Sequence, residues 1–259
     1  MSAALFELRQ VGFRAGGATL LDRIDLSIAR EQVTALIGHN GSGKTTLMRL
    51  LVRHHAASAG AIDFDGRALA AWKPREYARR VAHLPQHTPA TDGLLVRELV
   101  ALGRYAWHGI LGAFGARDRA HVDEAMRLAD VARYADRLVD SLSGGERQRA
   151  WLAMLIAQDS DCLLLDEPTS ALDVAHQVEM LDLVRTLCAE RRMAAVIVLH
   201  DINMAARFSD RIVALRGGGI LAAGAPADIM TEARLQAIYG MPMNVLRDPA
   251  SGRAIGIPR

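Results

Sequence analysis

Residues 38–45 read Gly-His-Asn-Gly-Ser-Gly-Lys-Thr. Glycine reaches backbone conformations that other residues avoid, so this stretch can curl until several backbone N–H groups point at one anion, and a phosphate is the natural guest. The pattern satisfies G-x-x-x-x-G-K-[ST] and lies where a strand-like run, Val-Thr-Ala-Leu-Ile, hands over to a helix-like run, Thr-Thr-Leu-Met-Arg-Leu-Leu. That is the context the motif requires. Gly38 opens the loop, and the N–H groups of Asn40, Gly41, Ser42, Gly43, Lys44, Thr45 and Thr46 would wrap a β-phosphate at the positive end of the helix. Lys44 would bridge the β- and γ-phosphates, and the Thr45 hydroxyl would bind Mg²⁺. A glycine-rich turn that merely contains a lysine is the bland alternative.

A metal-bound nucleotide needs carboxylates, and Cys-Leu-Leu-Leu-Asp-Glu at 162–167 supplies them. Asp166 ends an apolar strand, where it can reach Mg²⁺ through water. Glu167 is expected to face elsewhere because alternate strand positions point in opposite directions, leaving it to polarise the water that attacks the γ-phosphate. A third stretch, Ser-Leu-Ser-Gly-Gly-Glu-Arg-Gln-Arg-Ala at 141–150, places Ser143 and Glu146 at capping-box spacing before a helix. A cap does not require Gly144 and Gly145, which cost helix propensity. Their presence suggests close approach by something that needs bare backbone, and a helix start with a serine hydroxyl suits a second phosphate contact.

The elements that must hold these residues are legible in outline. Three apolar runs, at 33–38, 162–167 and 194–200, each end in polar residues and precede helix-like segments. Such strands imply a parallel sheet covered on both faces, with ligands at the carboxyl ends of its strands. Residues 88–159 read as a helical insert. The N-terminal stretch alternates like antiparallel strands around Gly16-Gly17, and 211–226 reads as two short strands around Gly217–Gly219. The expected organisation is a core of 1–87 and 160–240, a helical lobe of 88–159 and a tail of 241–259.

Composition narrows the function. A chain of 259 residues with 51% hydrophobic content can fill a large core, and a net charge of +2 without a long basic run argues against a nucleic-acid arm or polybasic membrane anchor. The two cysteines, Cys162 and Cys188, have no CxxC partner and fit a reducing compartment. The N-terminus has no long apolar run of the signal-peptide kind, and no segment approaches the ~20 apolar residues that span a bilayer. His83 and His87 flank Pro85 in an extended or loop segment, which disfavours a metal site there. His54-His55 reads as the exposed end of the first helix.

Leu142-Ser143-Gly144-Gly145-Glu146 resembles the signature motif of ATP-binding cassette (ABC) ATPases, and the order of the other motifs is similar to that family over nearly the whole chain. The resemblance implies an α/β P-loop NTPase (RecA-like) core with an N-terminal antiparallel β subdomain and an inserted α-helical subdomain. It further implies a Q-loop glutamine at Gln86, a D-loop at Ser170–Asp173 and a switch histidine at His200. By the same resemblance ATP and Mg²⁺ are the cofactors, Gln86 touches the metal or attacking water, and His200 contacts the γ-phosphate. Two copies meet head to tail, with Ser143 and Gly145 acting in trans. The base is expected to stack on an aromatic side chain, here Phe13 where the family commonly has tyrosine; Phe13 packing in the first sheet is the alternative.

With no spanning segment, a transport role would place the channel on separate permease subunits and this chain, as a peripheral protein, on the cytoplasmic face of the cell membrane. Tyr105, Trp107, Ile110, Leu111 and Phe114 cluster in the lobe, either as its core or as a cleft for a permease helix. The stretches at 140–160 and 198–210 are similar to ATPases of metal-chelate importers, those for ferric hydroxamate siderophores above all. That implies a periplasmic siderophore-binding protein as an indirect partner. Haem and cobalamin importers carry related cassettes. A soluble non-transport ABC ATPase usually has two cassettes or a long coiled-coil insert, and this sequence has neither.

Overall fold

The computed structural model describes residues 4–108, 113–170 and 172–259. Ile110 and Leu111 of the apolar cluster, and Ala171 of the expected D-loop, lie outside the described residues. The chain forms two compact units, Met1–Trp72 with Arg185–Arg259, and Lys73–Val184. The second therefore carries two strands besides the helical segment expected from sequence.

The first unit opens with β1 (Ala4–Ala15) and β2 (Ala18–Ala29), an antiparallel pair turning at Gly16-Gly17. Next come β3 (Val33–Ile37), α1 (Lys44–Leu51), β4 (Ala59–Phe64) and the short β5 (Arg67–Ala68). The antiparallel sheet runs β2-β1-β4-β5. Its inward face buries Phe6, Leu8, Val11 and Phe64, and the Phe64 ring meets Trp72 edge-on at 5.2 Å. Every residue of β3 is buried, as a strand covered on both faces requires.

The second unit contains α2 (Pro74–Ala78), β6 (Val81–Leu84), α3 (Val96–Leu102), α4 (Tyr105–His108), α5 (Ala116–Leu128), α6 (Gly144–Ala157) and β7 (Cys162–Asp166). It also holds the first turns of α7 (Val174–Arg191). Strands β6 and β7 pair in parallel, Leu84 opposite Leu165. Leu99, Val122, Met126, Leu152 and Leu155 are buried where α3, α5 and α6 pack together. Arg104 is buried there too, its Nε donating to Asp118 at 3.0 Å and its Nη1 to the Ala157 carbonyl at 2.9 Å. A buried guanidinium is tolerable only with such partners. Tyr105, Trp107 and Phe114, by contrast, are exposed, and the guanidiniums of Arg79 and Arg104 lie over the Trp107 ring at 5.1 Å each.

The chain then completes the first unit with β8 (Ala194–Val198), α8 (Ile202–Phe208), β9 (Arg211–Arg216), β10 (Gly219–Gly224), α9 (Pro226–Ile229) and α10 (Glu232–Tyr239). Strand β3 pairs in parallel with both β8 and β9, while β10 returns antiparallel to β9. The tail beyond 241 is a hairpin of β11 (Met243–Arg247) and β12 (Ala254–Pro258). It is clipped to α8 by Asn203, which exchanges two hydrogen bonds with the Gly256 backbone at 2.8 and 3.1 Å. Among the described residues no helix is long and apolar enough to cross a membrane.

Candidate nucleotide site

The loop from β3 to α1 is shaped by its glycines. Gly38 has φ +144°, and a Cβ there would sit 2.2 Å from the Leu215 carbonyl oxygen of β9. Gly43 begins α1 at φ +105°, where a Cβ would meet Leu21 Cδ2 at 2.7 Å and the Leu20 carbonyl at 3.1 Å. Neither position admits another residue without moving backbone. Helix α1 has no side-chain cap and no acid in its first turn, so its leading N–H groups and dipole are left to an anion. Lys44 is buried, and its Nζ donates to the carbonyls of Gly38 at 2.8 Å and His39 at 2.9 Å. A buried ammonium beside an uncapped helix start fits a polyphosphate. Thr45 and Thr46 follow in the first turn, half-buried, while Asn40 and Gly41 are exposed on the loop.

Phe13 lies half-buried on β1 with its ring stacked on His55 at 5.1 Å and 16°. His55 was expected only as part of an exposed helix end; it provides a second flat ring. His200 follows β8 and is exposed. Asp201 starts α8 by accepting from the N–H groups of Asn203 and Met204 at 2.6 and 3.1 Å, which sets where the chain turns after His200. Tyr239 carries no motif signal in the sequence. Its hydroxyl nevertheless donates to the His200 carbonyl at 3.5 Å, and its ring meets His39 edge-on at 5.9 Å. Burial, reinforced by the nearby Asp201 charge, pushes its hydroxyl up to about 12, so it remains a donor.

In the other unit, β7 delivers Asp166, buried, at its last position. Glu167 departs from the expected alternation: the strand has ended, and Glu167 adopts φ +53°, the left-handed region rare for a residue with a side chain. A left-handed turn, rather than the pleat, aims its carboxylate. The β6–β7 register, continued past Leu84 and Leu165, carries Gln86 alongside it, and the Gln86 amide donates to Glu167 Oε2 at 2.9 Å. The following loop is bracketed by Gln177, whose amide donates to the carbonyls of Thr169 at 3.2 Å and Leu172 at 2.9 Å. Sequence reasoning passed over Gln177, because a glutamine inside a helix carries no signal of its own.

The signature segment forms the capping box its spacing predicts. The Ser143 N–H donates to Glu146 Oε2 at 2.9 Å, and the Glu146 N–H donates to Ser143 Oγ at 3.4 Å. A hydrogen bond from Tyr134 and those from Ser143 hold the Glu146 carboxyl down to about 2, against an ordinary 4.5. The ionised form therefore supports the helix start fully above about pH 4.5 and loses that support as pH falls through about 2. The gap in melting temperature between the native protein and Glu146→Gln is expected to stay constant above pH 5 and to close toward pH 2. A gap that widens on acidification would contradict this. Bare backbone at Gly145 has an intramolecular explanation: a Cβ there would lie 3.0 Å from Cδ2 of His176. Gly144 opens the helix after Ser143.

A cavity of 540 Å³ lies at the tail hairpin, between α8, α9 and the strands β11 and β12; Asp201 lines it, but the phosphate loop, Gln86, Asp166, Glu167 and the signature segment do not. A phosphate loop wraps its guest with backbone and leaves little enclosed volume of its own, so the chemistry is better read from the loop than from that hollow.

A sequence profile of the ABC transporter family matches residues 21–170. This chain belongs to the ABC transporter family. The cassette is 40% identical, over 100% of its length and 93% of the relative's, to the probable siderophore transport system ATP-binding protein YusV of Bacillus subtilis. It is also 40% identical to the hemin import ATP-binding protein HmuV of Streptomyces coelicolor, covering 94% of the cassette and 86% of that protein. Among solved structures, it superposes on an inward-facing metal-chelate type ABC transporter with TM-score 0.87 at 25% identity, covering 100% of the cassette and 98% of that chain. The α/β P-loop architecture expected from the motifs is thus that of the cassette family, including the antiparallel N-terminal sheet and the helical insert.

Proposed function

We propose that this cassette is the ATP-hydrolysing motor of an importer that takes up ferric siderophores, of the hydroxamate kind, across the cytoplasmic membrane. The observation that carries the motor reading is the Gln86–Glu167 contact of 2.9 Å at the end of a buried strand that also presents Asp166. In this reading Lys44 and the N–H groups from Asn40 to Thr46 hold the phosphates, and Phe13 stacks on adenine. Thr45, Asp166 and Gln86 would hold Mg²⁺, which neutralises charge on the phosphate oxygens. Glu167 accepts a proton from water as its oxygen attacks the γ-phosphorus; the bond to the β–γ bridging oxygen breaks, and its electrons pass to the β-phosphate beside Lys44. His200 contacts the γ-phosphate.

Two copies close head to tail over ATP, and Ser143, Gly144, Gly145 and Glu146 of each complete the phosphate site of the other. Ser143→Arg is expected to leave ATP binding to the subunit's own loop intact while reducing turnover about a hundredfold or more, the scale of a lost transition-state contact. Unchanged hydrolysis in that variant would refute the trans arrangement. The cassette sits peripherally on the cytoplasmic face of the inner membrane and engages permease subunits that a periplasmic siderophore-binding protein supplies. The exposed Tyr105, Trp107 and Phe114 suit that docking, because aromatic side chains anchor interfaces.

The cargo follows the siderophore-transport relative, while the equal identity to a hemin import protein supports haem as a second reading. Uptake of radio-iron in a deletion strain separates them. Loss of ferric hydroxamate uptake with haemin uptake intact is expected; the reverse would reassign the cargo.

A further inference from the structure

One imidazole fastens the start of the signature helix to the loop that precedes α7. The N–H and Nδ1 of His176 lie 2.9 and 2.8 Å from the same oxygen, Oδ1 of Asp173. The other side of the contact is Gly145, where a Cβ would fall 3.0 Å from Cδ2, 3.2 Å from Cγ and 3.4 Å from Nε2 of the same ring. One turn further along both helices, Arg149 of α6 and Glu179 of α7 form an ion pair, so the two helix starts are pinned at successive levels. Gln177, next to His176, holds the carbonyls of Thr169 and Leu172, so both sides of the loop are tied to the same helical turn.

The physical need is plain. Two glycines at the start of a helix lower its propensity, so contacts from outside the helix help to hold that start in place. A ring against Gly145 fills the volume a side chain would occupy. Its nitrogen at the same time orients the Asp173 carboxylate. Few side chains do both: asparagine offers the donor without the ring, phenylalanine the ring without the donor.

We propose that His176 is a positioning residue that holds the signature helix start and Asp173 as one rigid block, so that both are presented together to the partner copy. The inference rests on the head-to-tail reading above. His176 touches neither the nucleotide nor the reacting atoms; it acts through Gly145 and Asp173.

The test uses the full-length chain carrying Glu167→Gln, with ATP-driven dimerisation followed by light scattering and binding to the subunit's own loop followed with labelled ATP. His176→Ala is expected to weaken dimerisation about three- to tenfold, the size of a lost hydrogen bond, with ATP affinity of the monomer unchanged. With Glu167 restored, the same variant is expected to lower kcat with little change in KM. His176→Asn and His176→Phe should each recover part of the loss, because each restores one of the two contacts. Gly145→Ala should be more damaging with the native ring than in the His176→Asn background, where the crowding is relieved. Melting curves show whether each variant is folded. Dimerisation and turnover equal to native in folded His176→Ala, or a Gly145→Ala defect indifferent to the ring, would overturn the proposal. If the Glu167→Gln protein with native His176 does not dimerise on ATP, it is the head-to-tail reading itself that fails.

Discussion

Glu167→Gln is expected to lower ATP turnover by about 10²- to 10⁴-fold, the range of a lost general base, while leaving ATP binding intact. The substitution is nearly isosteric, and the glutamine carbonyl can still accept from the Gln86 amide that now lies 2.9 Å from Oε2. The left-handed backbone at 167, φ +53°, is also undisturbed, because glutamine meets the same steric limits as glutamate. What disappears is the group proposed to accept the proton. ATP that binds but is not cleaved should then hold two copies together, giving a dimer by light scattering and no phosphate release. A variant that remains monomeric with saturating ATP, or that still hydrolyses it at the native rate, would remove the basis of the mechanism.

Lys44→Ala is expected to weaken ATP binding by about a hundredfold or more, because a buried, charge-assisted contact to phosphate is lost with its partner left behind. The effect on folding should be much smaller. The ammonium donates to the Gly38 and His39 carbonyls, so its removal forfeits two hydrogen bonds, but it also relieves the cost of holding a charge at 5% exposure. These terms oppose each other. Labelled-ATP titration and a melting curve on the same sample check both halves, and a variant that binds ATP as tightly as the native chain would exclude Lys44 from the phosphate site.

The contrast between these two residues explains what could be read early. The loop carrying Lys44 was identifiable because its motif occupies eight consecutive positions, and the strand and helix that hold it are local. The capping box of Ser143 and Glu146 was legible for the same reason, as was the buried strand ending in Asp166. For Glu167 the expected reason does not apply: the pleat rule holds inside a strand, β7 stops one residue earlier, and a left-handed turn sets the carboxylate instead. A left-handed residue leaves no trace in composition when it is not glycine. The glycine at 145 was correctly taken as a site of close approach, yet the approaching group found in the fold is His176, 31 residues on in the same unit, at a spacing no local pattern reports.

Tyr239 and Gln177 carried no signal in the sequence, and His55 was read only as part of an exposed helix end. Each acts through a contact made by folding: Tyr239 against His39 and the His200 carbonyl, His55 against Phe13, Gln177 around the loop after Glu167. The tail resolved only in the structure too, because its strands pair with each other and are clipped to α8 by a single asparagine, which leaves no periodic signature. Sequence alone determined the family and the parallel-strand core and singled out the groups proposed to meet ATP, since backbone-cradled phosphate chemistry demands particular residues at short, contiguous spacing. Tertiary structure decided which side chains aim and brace those groups, since bracing needs only proximity and a matching donor or ring, and distant parts of a chain acquire both solely through packing.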